Sequence, residues 1–386
     1  MLINGKRALA YTSKVLWVKP IQNADNIEEI GVLGWHLIAK KDEFKEGDIC
    51  VYFEIDSKLP ETEWSDFMAN RGYKVKTMKL NKFGVVSQGL ALRTDIDSRI
   101  PNEENVDVTD LLGVTYYVKA DNKRKGNIDK YASMKSRYKD LLKKPPYKWL
   151  MRYKWGRDFL NLFLGKKTND WCDWVVKTDE ERCQNLPFLF TGEDKQWWIV
   201  TEKIDGTSTT FTLKRKGLGK PKFYVCSRNV VFTKGKNQCY YDVNYYTMMA
   251  EKYDIENVLR KLMTKDLDFI TLQGETYGNG VQKRNYSIND QDFKAFNLIY
   301  SYKNGEIKKH NTLEMKEILE PYGIQTVPVL DTEFVLPKTC DEMVSYADGE
   351  SALDGKIREG VVVRTYDCSQ SFKAVSTKYL LSKNAE

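Results

Sequence analysis

Histidine is almost missing from this chain of 386 residues, which holds only His36 and His310. Multi-histidine metal centres and Ser-His-Asp hydrolysis need imidazoles in number or in company, so both fit poorly. The seven cysteines (Cys50, Cys172, Cys183, Cys226, Cys239, Cys340 and Cys368) are scattered, odd in number and form no C-x-x-C pair. That pattern argues against a zinc ribbon or disulfide framework and points to a reducing, cytoplasmic setting. No apolar run approaches about 18 residues, so neither a membrane span nor a membrane partner is expected. The start, Met1-Leu-Ile-Asn-Gly-Lys-Arg7, lacks the apolar stretch of a secretory signal. Phosphate-cradling glycine loops are missing as well. There is no G-x-x-x-x-G-K-[ST], and Gly278-Asn-Gly280 has no third glycine at dinucleotide-binding spacing.

What is present suffices for folded cores: 41% of residues are hydrophobic and 12% aromatic, which excludes a disordered chain. The length suggests two or three domains. The net charge of +7 is unevenly placed. Residues 119–170 hold 16 Lys/Arg against 5 Asp/Glu, a net of +11, and the remainder of the chain is net negative. That segment also carries Tyr131, Tyr138, Tyr147, Trp149, Tyr153 and Trp155. Cations interleaved with stacking groups suit a polyanion with bases; a solvated helical face is the plainer alternative.

Short β-prone runs fill the first 118 residues: Leu9–Trp17, Ile27–Val32, Trp35–Lys40 and Ile49–Ile55, with turns at Gly72, Gly84 and Gly89. Close strand spacing with glycine turns predicts a small barrel or sandwich. Helical patterns follow over 129–144 and 147–164, separated by Lys144-Pro-Pro-Tyr147. Beyond about 171, β-rich runs start at Trp197, Thr207, Phe223, Phe269, Phe293 and Gly360, with helices predicted over 243–264 and 313–321. The fold class is therefore α+β, with an antiparallel sheet in the C-terminal part.

The sharpest chemical feature is Lys203-Ile-Asp-Gly206, a turn between two strand-like runs. A lysine beside a carboxylate becomes a nucleophile when its pKa falls. The tetrapeptide alone is weak, since Asp-Gly is an ordinary turn. Further segments follow in order: Ser227-Arg-Asn229, Leu272-Gln-Gly-Glu-Thr-Tyr-Gly278, Phe293-Lys-Ala-Phe-Asn297, Arg358-Glu-Gly-Val-Val-Val-Arg364 and Ser371-Phe-Lys-Ala-Val-Ser-Thr-Lys378. Together these resemble motifs I, Ia, III, IIIa, IV and V of the covalent nucleotidyltransferase superfamily of ligases and capping enzymes. DNA ligases and capping enzymes of that superfamily continue into a further barrel after motif V. Only 13 residues follow Lys373 here, so that domain is not expected. Glu46–Ser57, Ser87-Gln-Gly-Leu90 and Lys177-Thr-Asp-Glu-Glu-Arg-Cys-Gln-Asn-Leu186 look like the Deinococcus-type, or fifth, family of ATP-dependent RNA ligases.

The resemblance implies an OB-fold-like nucleic-acid-binding module over 1–120, a basic helical linker over 121–170 and an adenylyltransferase domain, ATP-grasp-like in its sheets, over 171–386. It implies ATP and Mg²⁺ (or Mn²⁺) as cofactors, with RNA as substrate at a nicked duplex or bridged ends, an RNA–DNA hybrid included. No obligate protein partner is implied. Lys203 is expected to attack the α-phosphate of ATP, its pKa depressed by Mg²⁺ and Lys373, and Lys373 to neutralise charge on that phosphate. Asp205, Glu275 and Glu359 are expected to hold the metal through water, Glu275 alternatively holding the ribose. Phe296 is expected to stack on adenine, with Glu202 beside it and Gly206 completing the turn. Arg228 is expected on phosphate, of the ATP or of the RNA end; Lys177 and Arg182 belong to the inter-domain motif and are expected toward RNA, with no atom assigned. One departure stands out. The second motif V lysine is replaced by Val375, and Lys378 is the next candidate.

The function that follows is sealing of 3′-hydroxyl and 5′-phosphate RNA ends, as in RNA repair, through a lysyl-AMP intermediate. Rival readings are DNA nick sealing or capping-type transfer, and an RNA-binding protein with a degenerate transferase domain. All the adenylate chemistry is expected after residue 200.

Overall fold

The computed structural model describes residues 1–3, 6–116, 141–164, 178–192, 196–216, 219–228, 230–232 and 243–385. Of the helix expected over 129–144, residues 129–140 lie outside them, and 141–144 form turn and bend. The N-terminal strands are Ala10–Pro20, Ile27–Val32, Trp35–Lys40, Ile49–Phe53 and Leu90–Arg93. They form one antiparallel sheet in which Ala10–Pro20 is central. Its first half pairs with Ile49–Phe53 and its second half, past a bulge between Val15 and Trp17, with Ile27–Val32. A bulge bends and twists a strand, letting one strand serve both walls of a curl. The sheet closes toward its other edge, where Ile38 N–H donates to Ser87 Oγ at 3.2 Å. Tyr11, Ile30, Trp35, Leu37 and Tyr52 fill the concave side. This is an OB-fold half-barrel, the small barrel that the strand spacing predicts.

The C-terminal part is built on two sheets. A five-stranded sheet runs Glu181–Arg182, Ser371–Val375, Gly360–Thr365, Trp198–Lys203, Val329–Phe334. A six-stranded sheet runs Val231–Phe232, Gly219–Cys226, Thr207–Lys216, Leu267–Gly278, Gln291–Tyr302, Ile307–His310. Helices cover each sheet on one side. Tyr245–Lys252, Ile255–Leu262 and Thr312–Leu319 bury Met249, Leu259, Met315 and Leu319 with Phe211, Leu272 and Phe293 of the larger sheet. The Cys340–Ala347 helix buries Met343 with Trp198, Val200 and Phe372 of the smaller one.

The helix expected over 243–264 breaks at Asp254, whose φ of 48° is left-handed. Residues 147–164 likewise fold as two pieces, Tyr147–Leu150 and Lys154–Leu164. The Thr312 helix starts where Asn311 and Glu314 cap each other, as its sequence dictates. Among the described residues no helix is long and apolar enough to cross a membrane.

Candidate active site

Lys203 ends its strand opposite Gly360, and Thr207 begins a strand of the other sheet opposite Thr276. Ile204-Asp205-Gly206 is therefore the link between the sheets, and the site lies where the chain crosses. Side chains alternate along a strand. Trp198 and Val200 enter the core, so Thr201 and Lys203 face the crossing. Gly206 is required there, because a Cβ would meet Thr276 O at 2.3 Å and Glu275 Cγ at 2.9 Å.

A cavity of about 380 Å³ opens at this junction. Ile204, Phe296, Val327 and Val362 give it apolar surface; Lys203, Glu275, Glu359, Arg228, Asp179, Lys373 and Arg364, the last donating to Phe296 O at 3.0 Å, give it charge. Phe296 packs partly against Ile204, Tyr277, Tyr286 and Val327, leaving part of its ring to the cavity. Glu202 also borders it, but its carboxylate is spent: it accepts from Ser351 Oγ and from Ala352 N–H at 2.8 Å. Burial raises its pKa. Its backbone N–H is engaged as well, donating to Pro328 O at 2.9 Å.

Lys203 Nζ lies 2.8 Å from Glu359 Oε1. Burial lowers the lysine pKa, but Glu359 and Glu275 outweigh it and the net direction is upward. Carboxylates surround the amine, so the expected depression would have to come from a bound cation. Lys373 lines the same cavity. It is held by Asp179 Oδ1 at 2.9 Å, and its own pKa falls to about 8 through burial, with Arg182 and Arg7 adding repulsion. Burial also raises Glu275 to about 8, with Glu359 and Asp205 adding to the effect.

Asp205 is tied to the C-terminal helix. Its Oδ2 accepts from Tyr379 Oη at 2.5 Å and from Lys383 Nζ at 2.8 Å, both on the C-terminal helix Thr377–Ala385. Its N–H donates to Tyr286 Oη at 2.6 Å. Among the described residues no three His, Cys, Asp or Glu groups stand ready to bind a metal directly. Asp205, Glu275 and Glu359 are thus not gathered as a direct ligand set, and Asp205 Oδ2 already accepts two hydrogen bonds. A divalent cation still fits through water. Glu359 Oε2 is buried without a hydrogen-bond partner, and the half-buried Glu275 is a second oxygen donor on the same cavity.

Lys378 does not reach the site. It is exposed, and its backbone N–H donates to Asp348 at 3.2 Å. One helical turn further, Lys383 does reach it, on the same face as Tyr379. Sequence reasoning missed Lys383; the signal was an i,i+4 pair just beyond motif V. It also missed Asp179, which gathers Lys373, Arg228 at 3.0 Å and Arg7 at 3.2 Å around one carboxylate. Arg7 comes from the half-barrel, where Glu54 fixes its fork at 2.9 and 3.1 Å. The site therefore draws on residues before 200.

The 178–186 segment explains how. Asn185 Oδ1 accepts from Trp35 Nε1 at 2.8 Å and from Tyr11 Oη at 3.1 Å, and its Nδ2 donates to Glu54 at 3.2 Å. This docking onto the barrel carries Asp179 and Arg182 to a second cleft beside the first. Arg182 is buried there with Nε and Nη1 unpartnered. Lys177 lies outside the described residues. His36 joins Glu29 to Asp341 across the same interface, and neither histidine lines either of these two clefts.

An RNA ligase family model matches residues 196–379, and an OB-fold domain model matches residues 9–94. No curated protein matches the chain. Among solved structures, Naegleria gruberi RNA ligase with PPi aligns at a TM-score of 0.76 and 26% identity, over 99% of this chain and 100% of that one. A lysine-to-methionine mutant of that ligase with AMP and Mn aligns at 0.75 and 27%, over 97% and 98%. A glutamate-to-alanine mutant with ATP and Mn aligns at 0.74 and 27%, over 98% and 100%.

Proposed function

We propose that this chain is an ATP-dependent RNA ligase that seals 3′-hydroxyl and 5′-phosphate ends through AMP carried on Lys203. The observation that supports this best is the cavity at the sheet crossing. Lys203, at the end of its strand, lines the cavity together with apolar side chains fit for a base and with Arg228 and Lys373, fit for phosphates. Likeness over nearly the whole chain to a ligase solved with ATP, AMP, PPi and Mn supports the same reading. The finer kinship with the Deinococcus-type family rests on the motifs quoted above.

In this reading adenine enters between Phe296, Ile204 and Val362, with Glu202 at its edge. Lys203 Nζ bonds to the α-phosphorus while the bond to the pyrophosphate oxygen breaks, an in-line substitution. The ammonium first gives up a proton, and Glu359 Oε1 at 2.8 Å is an acceptor within reach. Lys373 exchanges Asp179 for phosphate oxygens, and Arg228 and Arg182 receive the remaining charge. Glu359 and Glu275 would hold a divalent cation, Mg²⁺ or Mn²⁺, through water. Bound there, it supplies positive charge that offsets both carboxylates and lowers the lysine pKa. Two further substitutions at phosphorus follow: AMP moves to the RNA 5′-phosphate, and the 3′-hydroxyl then displaces it.

The barrel over 1–120 serves as the nucleic-acid module, 121–170 as a basic linker and 171–386 as the adenylyltransferase domain. The work is RNA repair in a reducing, cytoplasmic compartment. Incubation with ATP labelled at the α-phosphate, then denaturation, tests the reading. Label retained on Lys203 with ATP but not GTP is expected; no retained label would refute it.

A further inference from the structure

Residues 141–164 fold around a small core of Leu142 and Leu160, closed by Tyr147, Leu150 and Met151. Arg157 holds the bend between the two helices, donating from Nη1 to Met151 O at 3.1 Å and Arg152 O at 3.2 Å. The largest rings of the segment are outside this core. Trp149 is 51% exposed, Tyr153 45%, Trp155 57% and Phe159 52%. Burial alone would favour the opposite arrangement, since aromatics remove more apolar area from water than leucine does. Three of the rings form one cluster. Tyr153 and Trp155 stack at 6.2 Å with 20° between planes, and Trp149 meets them edge-on at 5.3 and 5.9 Å. Lys143, Lys144, Lys148, Arg152 and Lys154 of the same segment are exposed too, interleaved in sequence with the rings, and Asp158 is the segment's sole carboxylate.

We propose that this face is a stacking platform for unpaired nucleotides of an RNA strand near the break. The choice of RNA rests on the ligase reading; the platform itself rests on the exposed rings and the charge interleaved with them. Rings accept any base on their faces, and the cations track the backbone phosphates, which together give sequence-tolerant binding. A membrane is the competing occupant for exposed Trp and Tyr beside lysines. An interfacial helix, however, inserts its leucines, and here Leu142, Leu150 and Leu160 turn inward. The positive charge complements phosphate, and the ring cluster adds what a phosphate contact alone lacks.

The test uses the full chain without ATP and an oligoadenylate of about 12 nucleotides with a 5′-hydroxyl, which cannot be adenylated. Trp149→Ala with Trp155→Ala should weaken binding about 5- to 150-fold per ring while the salt slope stays unchanged. Lys144→Gln, Lys148→Gln and Arg152→Gln together should lower that slope by about 0.7 per lost contact. Labelling by ATP should match the unmutated chain in both variants, which also reports folding. If the tryptophan variant does not fold, photocross-linking of a 5-bromouridine oligonucleotide to the unmutated chain decides. Adducts on Trp149, Tyr153 or Trp155 support the platform, and adducts confined elsewhere overturn it. Unchanged oligonucleotide affinity in a folded variant overturns it. So does loss of binding to phosphatidylserine vesicles with RNA binding intact, which assigns the face to a membrane. Because no ATP is used in the binding arm, a failure of the ligase reading would show in the labelling of the unmutated chain instead.

Discussion

Lys383→Met isolates the part of the site that lies furthest from any expected motif. Methionine keeps the apolar stem, so the change removes the charge that meets Asp205 Oδ2 at 2.8 Å. At that distance the Coulomb attraction is about 1.5 kcal/mol in water and about 6 kcal/mol at an effective dielectric of 20. The lysine side chain is 30% exposed and the aspartate 9%, so solvent screens much of the larger figure. A net loss of about 1–2 kcal/mol is reasonable, above a surface pair and below a fully buried one. Tyr379 still donates to the same oxygen, so Asp205 is loosened and not abandoned. Passed on to the barrier, 1–2 kcal/mol slows the reaction about 5- to 30-fold. Single-turnover formation of protein-bound AMP from α-labelled ATP measures this directly. A positioning role should also raise the Mn²⁺ concentration needed for half-maximal labelling, and Lys383→Arg should restore most of the rate. Tm should change by no more than about 2–4 °C. Lys378→Met is the control, because Lys378 is exposed and outside the cavity. A normal rate in Lys383→Met with a slow Lys378→Met would refute the argument.

Lys203→Ala should retain no AMP after denaturation while keeping its fold by circular dichroism; label on this variant would move the nucleophile elsewhere. Arg7→Ala should slow labelling as well as sealing, since Arg7 steadies Asp179 and through it Lys373; sealing lost with labelling intact would confine the barrel to RNA binding. Glu275 supplies a pH test without metal. Its folded pKa of about 8 is raised above the ordinary 4.5, so the stability it gives is full below about 4.5 and lost as pH rises through about 8. Glu275→Gln should therefore melt above the unmutated chain at pH 8, with the gap closing toward pH 5; equal melting at both would show that Glu275 is not buried as a shared-charge carboxyl. Lys373, at about 8, should lose its charge as pH rises past that value, so kcat/KM for labelling should fall on the alkaline side. Lys373→Arg should shift that fall upward, as followed in a pH series.

Local pattern carried much of this protein. Alternation and glycine turns marked the strands of the half-barrel, because a half-buried strand must alternate and a tight reversal needs positive φ. Ordered short motifs placed Lys203, Glu275, Glu359 and Lys373 on one cavity, since each sits at a fixed register near the crossing between two sheets. Long helices were over-read at Asp254 and at 151–153, where tertiary contacts, such as Arg157 on the Met151 and Arg152 carbonyls, decide the bend. Charge pairing was not legible. Nothing in spacing says that Asp179 would gather three cations from separate regions, or that Lys383 and not Lys378 would reach Asp205. Nor does composition tell that Lys203 is flanked by carboxylates and holds its proton more tightly than a free lysine does. Residue type and order set which groups could do chemistry. Distances of about 3 Å between residues far apart in the chain set which of them act together, and only folding fixes such distances, because Coulomb and hydrogen-bond energies depend on separation and burial and not on sequence position.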